Sequence, residues 1–324
     1  MQAILAVTIP FFALVLCGYL AARQRVLPES AIPGLNAFVL YFALPCLLFR
    51  FGMNTPLGQL LNPIVLIVYL TSALAIVAFT IAVTLSAAVP MKDAAFGALV
   101  AAFPNTGFMG VPLLVALLGA AAAGPVIASV LADLFVTSSL CIALAQAHEA
   151  KGAGAGTGLA AARALRGTLA NPLPWAIALG AAASAAGLRL AGPPDVIVRM
   201  LADAASPVAL FTIGAVLWRA GQHAHTRTPP ALFVPVAAIK LFVHPLLVFA
   251  LCAAARALGA ALSAFEVTVL TLAAALPSAS NVSLLAERYG ADNGRIARII
   301  LASTAAAFVS FSLLAWLFGA VAPH

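Results

Sequence analysis

Charged residues are scarce in this sequence. Only 8% of its 324 residues are Asp, Glu, Lys or Arg, and 64% are hydrophobic, whereas a soluble domain carries about 25% charged residues. A compact soluble domain could not hide so many apolar side chains, because too much of it is surface. The scarcity therefore argues against an ordinary soluble protein and favours an all-α polytopic membrane protein with a lipid bilayer as its solvent.

The sequence also lacks motifs for several other functions. Its formal charge of +7 comes from basic residues that stand singly and form no stripe beside aromatic residues, which argues against a nucleic-acid partner. The four cysteines fall within apolar runs without pairing or metal-ligand spacing, so we interpret them as small buried hydrophobes. HExxH, GxSxG and P-loop motifs are absent. We therefore expect no enzyme, no metal site and no cofactor.

Long apolar runs, in contrast, are numerous. A membrane-spanning helix needs about 20 mostly apolar residues, and ten such segments can be placed. No positively charged region precedes the first one, so we interpret it as a retained span and not as a signal peptide. The ten predicted spans are 3–22, 35–52, 63–89, 94–118, 125–147, 171–188, 196–217, 231–257, 266–287 and 296–320.

One segment is typical of a linker, because residues 150–167 are rich in Gly and Ala. It divides the chain into two predicted five-helix units, 1–149 and 168–324. With the N-terminus outside, eleven basic residues lie on the inner side and four on the outer side, while Lys240 falls within a span. The positive-inside rule then predicts a multi-pass protein of the cell inner membrane with a cytoplasmic linker and both termini extracytoplasmic.

The two units share a spacing of Pro, Gly and Phe. Because each has five spans, the second must be inserted upside down, which gives the inverted repeat typical of secondary transporters. Farther along, LVAAFPNTG at 99–107 corresponds to LAAALPSAS at 272–280, with an offset of 173. In the first part of each unit the offset is 162, and it relates Pro10, Gly18, Pro45, Phe49 and Gly52 to Pro172, Gly180, Pro207, Phe211 and Gly214.

Two predicted spans contain helix-breaking residues at corresponding positions. The fourth reads FPNTGFMGVPLL, with Pro104 and Pro112, and the ninth reads ALPSASNVSLL, with Pro277. Proline and glycine weaken a helix, so both spans should unwind near the bilayer midplane. Non-helical backbone at that depth is tolerated only where it packs against protein or lines a water-filled cavity. Simple kinks are the alternative, but two polar breaks at matching positions favour a binding site.

The residues at the breaks suit an anion. Neutral polar side chains supply donors and acceptors there, and the N-termini of half-helices present free N–H groups and a positive dipole end. The predicted substrate-binding residues at the breaks are Asn105, Thr106, Gly107, Ser278, Ser280 and Asn281.

Charged residues within apolar segments are costly in lipid and point to function. Asp133, Asp203 and Lys240 are therefore candidates for coupling transport to an ion, either H+ or Na+. An internal ion pair is the alternative, as is a position close to the membrane interface for Asp203. His244, beside a proline, is expected to be a packed core residue.

The motif FPNTGFMGVPLL closely resembles the fourth-span signature of the auxin efflux carrier family, which includes plant PIN-type carriers and bacterial malonate-type permeases. GLNAFVLYFALPCLLFRF (34–51) and LADAASPVALFTIG (201–214) are similar to the family's second and seventh spans. The resemblance implies ten spans in two inverted repeats with crossed helices 4 and 9, as in sodium/proton antiporters and bile-acid transporters. It also implies a scaffold of helices 1, 2, 6 and 7 beside transport helices 3–5 and 8–10.

The same resemblance implies that carboxylates bind at the crossing, next to Asn105. In the family's sixth-span Asn-Pro-Asn pattern, Asn171 and Pro172 match but Leu173 replaces the second Asn. This departure weakens auxin as the substrate and makes Asn171 a secondary candidate for the site.

We therefore expect a secondary transporter of small mono- or dicarboxylates, with malonate-like acids favoured, that works by alternating access of the elevator type. A homodimer through the scaffold helices is the candidate assembly. The alternatives are a sodium-coupled symporter or antiporter of the bile-acid or proton-antiporter type, and a membrane ligand sensor. A sensor would be expected to carry a soluble output domain.

The predicted orientation can be tested at position 324. In a His324→Cys variant whose native cysteines are replaced by Ala, a membrane-impermeant maleimide should label the new cysteine in sealed spheroplasts, because the positive-inside rule leaves this end outside. Labelling that appears only after lysis would contradict the orientation.

Overall fold

The computed structural model describes residues 1–56, 58, 62–152, 171–222 and 228–320. These residues form helices and turns, and no β-strand occurs among them. Most of the predicted linker at 150–167 lies outside these residues, as does position 324. The helices are α1 (Gln2–Arg23), α2 (Ile32–Phe38), α3 (Leu44–Asn54), α4 (Pro63–Thr84), α5 (Met91–Ala102), α6 (Val111–Leu118), α7 (Ala123–Ala132), α8 (Ser138–Gly152), α9 (Pro172–Ala185), α10 (Pro193–Gln222), α11 (Pro230–Ala238), α12 (His244–Ala257), α13 (Ala264–Ala274), α14 (Asn281–Arg288) and α15 (Asn293–Leu317).

Seven helical stretches among the described residues are long and apolar enough to cross a membrane. Three shorter apolar helices, Thr106–Leu118, Pro172–Ala185 and Ala264–Ala274, add to them. These three fall where the sequence predicts the fourth, sixth and ninth spans. The chain is therefore a polytopic α-helical membrane protein.

Prolines reshape several spans without ending them. A proline lacks the N–H that would bond to the carbonyl four residues earlier, and its ring clashes with that carbonyl. In three spans the residue just before the proline bonds to the carbonyl five residues back, as Val111 does to Thr106, and the turn widens to a π-helical one. Pro112, expected within an unwound stretch, thus lies in the first turn of α6. The three widened turns are Val39–Ala43, Thr106–Gly110 and Ile239–Val243.

Helices α1 and α10 cross closely because glycines lie at their contact. A Cβ on Gly18 of α1 would collide with the carbonyl oxygen of Phe211 in α10, and a Cβ on Gly214 of α10 would collide with that of Val15. Small residues allow two membrane helices to bring their backbones together, where van der Waals packing holds them. The glycines thus fix the distance between α1 and α10.

A second crossing of the same kind joins α9 and α3. A Cβ on Gly180 of α9 would overlap the carbonyl oxygen of Phe49, and a Cβ on Gly52 of α3 would lie 2.9 Å from that of Ile177. Since α2 and α3 also pack against α10, the helices α1, α2, α3, α9 and α10 form one group.

The remaining helices form a second group around the crossing segments. In it α5 packs against α4 and α8, α12 against α4 and α13, and α11 against α15. Arg295 of α15 ties three of them together, although it is only 2% exposed. Its Nε donates to the carbonyl of Leu232 in α11 (2.8 Å) and its Nη1 to that of Asp93 in α5 (2.9 Å). Gly97 leaves room for this guanidinium, since a Cβ there would lie 2.9 Å from Nη1.

The glycine crossings can be tested with one substitution at two sites. Gly18→Ala should lower the free energy of unfolding by about 1–3 kcal/mol, because its methyl group meets backbone atoms that cannot move aside. Gly34→Ala in α2 has nothing within 4 Å of the new Cβ and should raise stability by about 0.5–1 kcal/mol through helix propensity. Thermal unfolding in detergent measures both changes. A Gly18→Ala variant as stable as the wild type would contradict the close crossing.

Candidate functional site

The two broken spans cross, and their backbones pair at the crossing. Between α5 and the turn at Thr106, and between α13 and α14, the chain is not helical. The N–H of Asn105 donates to the carbonyl of Pro277 (2.8 Å), and the N–H of Ala279 donates to that of Phe103 (3.0 Å). These two bonds satisfy backbone groups that would otherwise be unpaired at membrane depth.

Serine and threonine side chains at the crossing hold it together. Ser278 lies opposite Pro104 in the paired segments; its Oγ donates to the carbonyl of Val100 (2.8 Å), and its N–H donates to Ser303 Oγ (3.2 Å). The Thr106 hydroxyl donates to the carbonyl of Pro104 (3.4 Å). Both side chains thus have backbone partners and line neither of the cavities described below.

Two asparagine side chains at the crossing keep unpaired oxygens. Asn105 is only 3% exposed, and neither its Oδ1 nor that of Asn281 has a hydrogen-bond partner among the described residues. With Gly107, both line a cavity of about 20 Å³, which is room for about one water molecule. Ser280 is buried too but does not line this cavity. A buried amide oxygen without a partner is costly, so these two oxygens are groups at the crossing that a water molecule or a ligand with a hydrogen-bond donor would satisfy.

A larger cleft of about 260 Å³ adjoins this cavity. Four residues, Phe103, Phe108, Leu134 and Asn281, line both spaces and form the wall between them. Among the described residues that line the cleft, only Arg288 is charged. Pockets for drug-sized ligands measure about 300–1,000 Å³, so the cleft suits a smaller molecule, and its lining suits an anion.

Asn171 lies at the start of α9, in the group of helices that also contains α1, α2, α3 and α10. It lines the cleft at the start of α9, and its Oδ1 caps that helix by accepting from the N–H of Leu173 (3.0 Å). Leu173, which replaces the second Asn of the sixth-span pattern, lines the small cavity. The departure from the pattern therefore places an apolar side chain next to the crossing.

Asp133 belongs to a separate buried cluster behind the crossing. It is 0% exposed and begins a π-helical turn, Asp133–Thr137. The Tyr69 hydroxyl donates to its Oδ2 (2.8 Å) and the Thr137 hydroxyl to its Oδ1 (3.1 Å). Both carboxylate oxygens are thus satisfied by span side chains.

Lys240 lies near Asp133 and attracts it electrostatically. Its Nζ donates to the carbonyl of Ala274 (2.6 Å) and lies 3.2 Å from His244 Nδ1. Ala274 is the last residue of α13, so the ammonium group stands at the negative end of a half-helix, where a cation is stabilised. His244 is fully buried, as the sequence led us to expect.

Asp203 is not part of this cluster. Its side chain is 72% exposed and lies 3.9 Å from Arg50, which is 30% exposed. An exposed pair of this kind contributes about 0–1 kcal/mol in water. The structure therefore separates Asp203 from the other two coupling candidates.

Sequence reasoning missed two residues of these sites. Arg288 follows the ninth predicted span and is one of the eleven basic residues predicted on the inner side. Its place in the site could have been found, because Asn281, Leu284, Leu285 and Arg288 have the spacing of one helix face, which predicts a shared lining. Tyr69 offered a weaker signal, as a tyrosine within a largely apolar predicted span.

Comparisons with known proteins cover nearly the whole chain. A family model described as "Membrane transport protein" matches residues 3–315. The chain is also 30% identical, over 308 residues, to a protein of Rhizobium meliloti (strain 1021) named "Putative malonate transporter". That alignment spans 94% of this chain and 92% of the relative. The matched residues include the crossing, the cleft and the buried cluster.

Proposed function

We propose that this chain, which belongs to the auxin efflux carrier family of membrane transport proteins, carries small carboxylates across the cell inner membrane by alternating access. Membership in this family makes it a membrane transporter and not an enzyme. The substrate, the mechanism and the coupling ion are our proposals.

The observation that supports a carboxylate is the chemistry of the crossing. Two helices begin there, one at Thr106 and one at Asn281. The N–H groups of Thr106, Val282 and Ser283 already donate to nearby carbonyls, so it is the positive ends of the helix dipoles that favour a negative charge there. The amides of Asn105 and Asn281, whose Oδ1 atoms are unpaired, add to them, since turning an asparagine amide presents its NH2 as a donor. A carboxylate can thus be stabilised without a buried arginine.

The glycine crossings support an inverted repeat with the boundaries predicted from the sequence. The 162-residue offset relates Gly18 to Gly180 and Gly52 to Gly214. In the fold Gly18 and Gly214 lie at one crossing, and Gly180 and Gly52 lie at the other. Exchanging the two halves therefore maps one crossing onto the other. We assign α1, α2, α3, α9 and α10 to a scaffold and the other helices to a transport domain.

The lining of the cleft supports movement of one domain against the other. Leu40 and Asn171 come from the scaffold, whereas Leu134 and Asn281 come from the transport domain. A substrate between the two groups changes its exposure when they shift, as alternating access of the elevator type requires. The bonds of Arg295 to α5 and α11 would let the transport domain move as one body.

The direction in which the cleft opens follows from the proposed orientation. Arg288 lines the cleft at the end of α14 and belongs to the basic residues assigned to the inner side. The cleft would thus face the cytoplasm in this conformation. The amide of Asn105 lies behind Phe103 and Phe108 and meets the substrate when these side chains move and the small cavity joins the cleft.

Among small carboxylates we favour malonate-like acids. The relative with 30% identity carries malonate in its name, and the cleft is small and lined by neutral side chains apart from Arg288. Flux of labelled malonate and other acids into proteoliposomes tests the function directly. Binding without flux would favour the alternative of a ligand sensor.

The site predicts a large effect for one amide. Asn105→Ala should weaken malonate binding by roughly 5- to 150-fold, because it removes a buried polar group worth about 1–3 kcal/mol. Isothermal titration with purified protein measures the affinity, and gel filtration checks the fold. Cys17→Ala is the control and should leave the affinity unchanged, because Cys17 is exposed on α1 and not buried as the sequence suggested. A folded Asn105→Ala variant with wild-type affinity would move the site elsewhere.

The buried cluster predicts how transport responds to pH if protons drive it. Asp133→Asn keeps the size of the side chain but cannot carry a proton, so it should flatten the pH dependence of malonate uptake into proteoliposomes. Asp203→Asn is the matched control: its exposed carboxylate should leave the profile as in the wild type.

Two other outcomes are informative. An Asp133→Asn variant with wild-type flux and pH profile would exclude this carboxyl group as the proton carrier. Uptake that stops when Na+ is replaced by K+ would favour the sodium-coupled alternative.

A further inference from the structure

We infer that Arg288 binds the second carboxylate of a dicarboxylate whose first carboxylate sits at the crossing, so that this arginine selects diacids over monoacids. The inference rests on the proposed function, because it needs a carboxylate at the crossing. It goes further by assigning a second subsite in the cleft and by narrowing the substrate class to dicarboxylates.

The geometry of α14 provides a continuous path between the two subsites. Asn281 begins this helix and Arg288 ends it. Residues 281, 284, 285 and 288 follow the i, i+3, i+4, i+7 spacing of one helix face, and all four line the cleft. One end of the face therefore carries the unpaired amide at the crossing, and the other carries a guanidinium.

The distance between the subsites suits a short diacid. Seven residues of α-helix rise by about 10 Å, but the long side chains of a helix point back toward its N-terminus. The guanidinium of Arg288 lies beside the ring of Tyr289, and turning this long side chain back toward Asn281 would shorten the gap. A small diacid held at the crossing would direct its other carboxylate along Leu284 and Leu285 toward the guanidinium.

The surroundings of Arg288 leave its charge available. No carboxylate among the described residues lies within salt-bridge distance of it. The guanidinium lies over the ring of the adjacent Tyr289, 5.9 Å from its centroid. An arginine at the inner face of a membrane protein can serve topology alone, but that role does not require a position on the cleft-lining face.

The ratio of two affinities distinguishes these roles. Isothermal titration measures the binding of malonate, a diacid, and of propionate, a monoacid of similar size, to purified wild-type protein and Arg288→Gln. A hydrogen bond to a charged group is worth about 1.5–3 kcal/mol, so the variant should bind malonate about tenfold more weakly or worse. Its affinity for propionate should change less than about twofold, because the monoacid has no second carboxylate for Arg288 to bind.

Two control variants sharpen the test. Arg288→Lys keeps the charge but loses the bidentate geometry, so its malonate affinity should fall between those of the wild type and Arg288→Gln. Arg23→Gln removes an exposed basic residue that does not line the cleft and should leave both affinities unchanged.

The outcomes separate this inference from the proposed function. If Arg288→Gln lowers the affinities for malonate and propionate equally, or lowers neither, Arg288 does not bind a second carboxylate. The proposed transport of carboxylates still stands in that case. If the wild type binds propionate as tightly as malonate, the diacid subsite is refuted in the same way. If the wild type binds neither acid, the proposed function fails and this inference fails with it.

Discussion

The pairing of two unwound backbone segments is the constraint on which the rest of this structure depends. At membrane depth each exposed N–H or C=O group is costly, so neither broken span could exist alone. The bonds between Asn105 and Pro277 and between Ala279 and Phe103 satisfy each segment with the other. Because the breaks must meet, the two halves of the chain must pack so that α5–α6 and α13–α14 cross. The helix starts created by the breaks then face one small space.

The charges inside the membrane follow from the same crossing. Ending α13 at this depth leaves carbonyl groups at the negative end of a half-helix, and Lys240 meets one of them at Ala274. A buried ammonium in turn favours a nearby anion, and Asp133 is close enough to attract it. Tyr69 and Thr137 satisfy the carboxylate oxygens. The cluster can thus stabilise the crossing and, as proposed, carry a proton.

The polar residues at the crossing fall into two sets. The hydroxyl groups of Ser278 and Thr106 donate to backbone carbonyls and stabilise the crossing. The amide oxygens of Asn105 and Asn281 are unpaired, which a purely structural role would not favour. Arg288 stands apart from both sets at the open end of the cleft, where an exposed charge costs little and can meet an incoming anion.

The sequence by itself determined the fold class, the breaks at Pro104 and Pro277, and the polar residues around them, because composition and proline chemistry act locally and leave a direct pattern. It also located Gly18, Gly52, Gly180 and Gly214 as a repeated set. Only the tertiary structure decided what each residue does. It paired the glycines across two crossings, kept Pro112 within a helix, and put Asp203 at the surface with Arg50.

The same holds for the site. Tyr69 and Asp133, or Asn171 and Arg288, are far apart in the chain, and no local pattern states that they share a cluster or a cleft. Their proximity depends on how whole helices pack. Packing of lipid-exposed helices is set by small-residue contacts and interhelical hydrogen bonds, which a single sequence does not reveal until the fold brings the partners together.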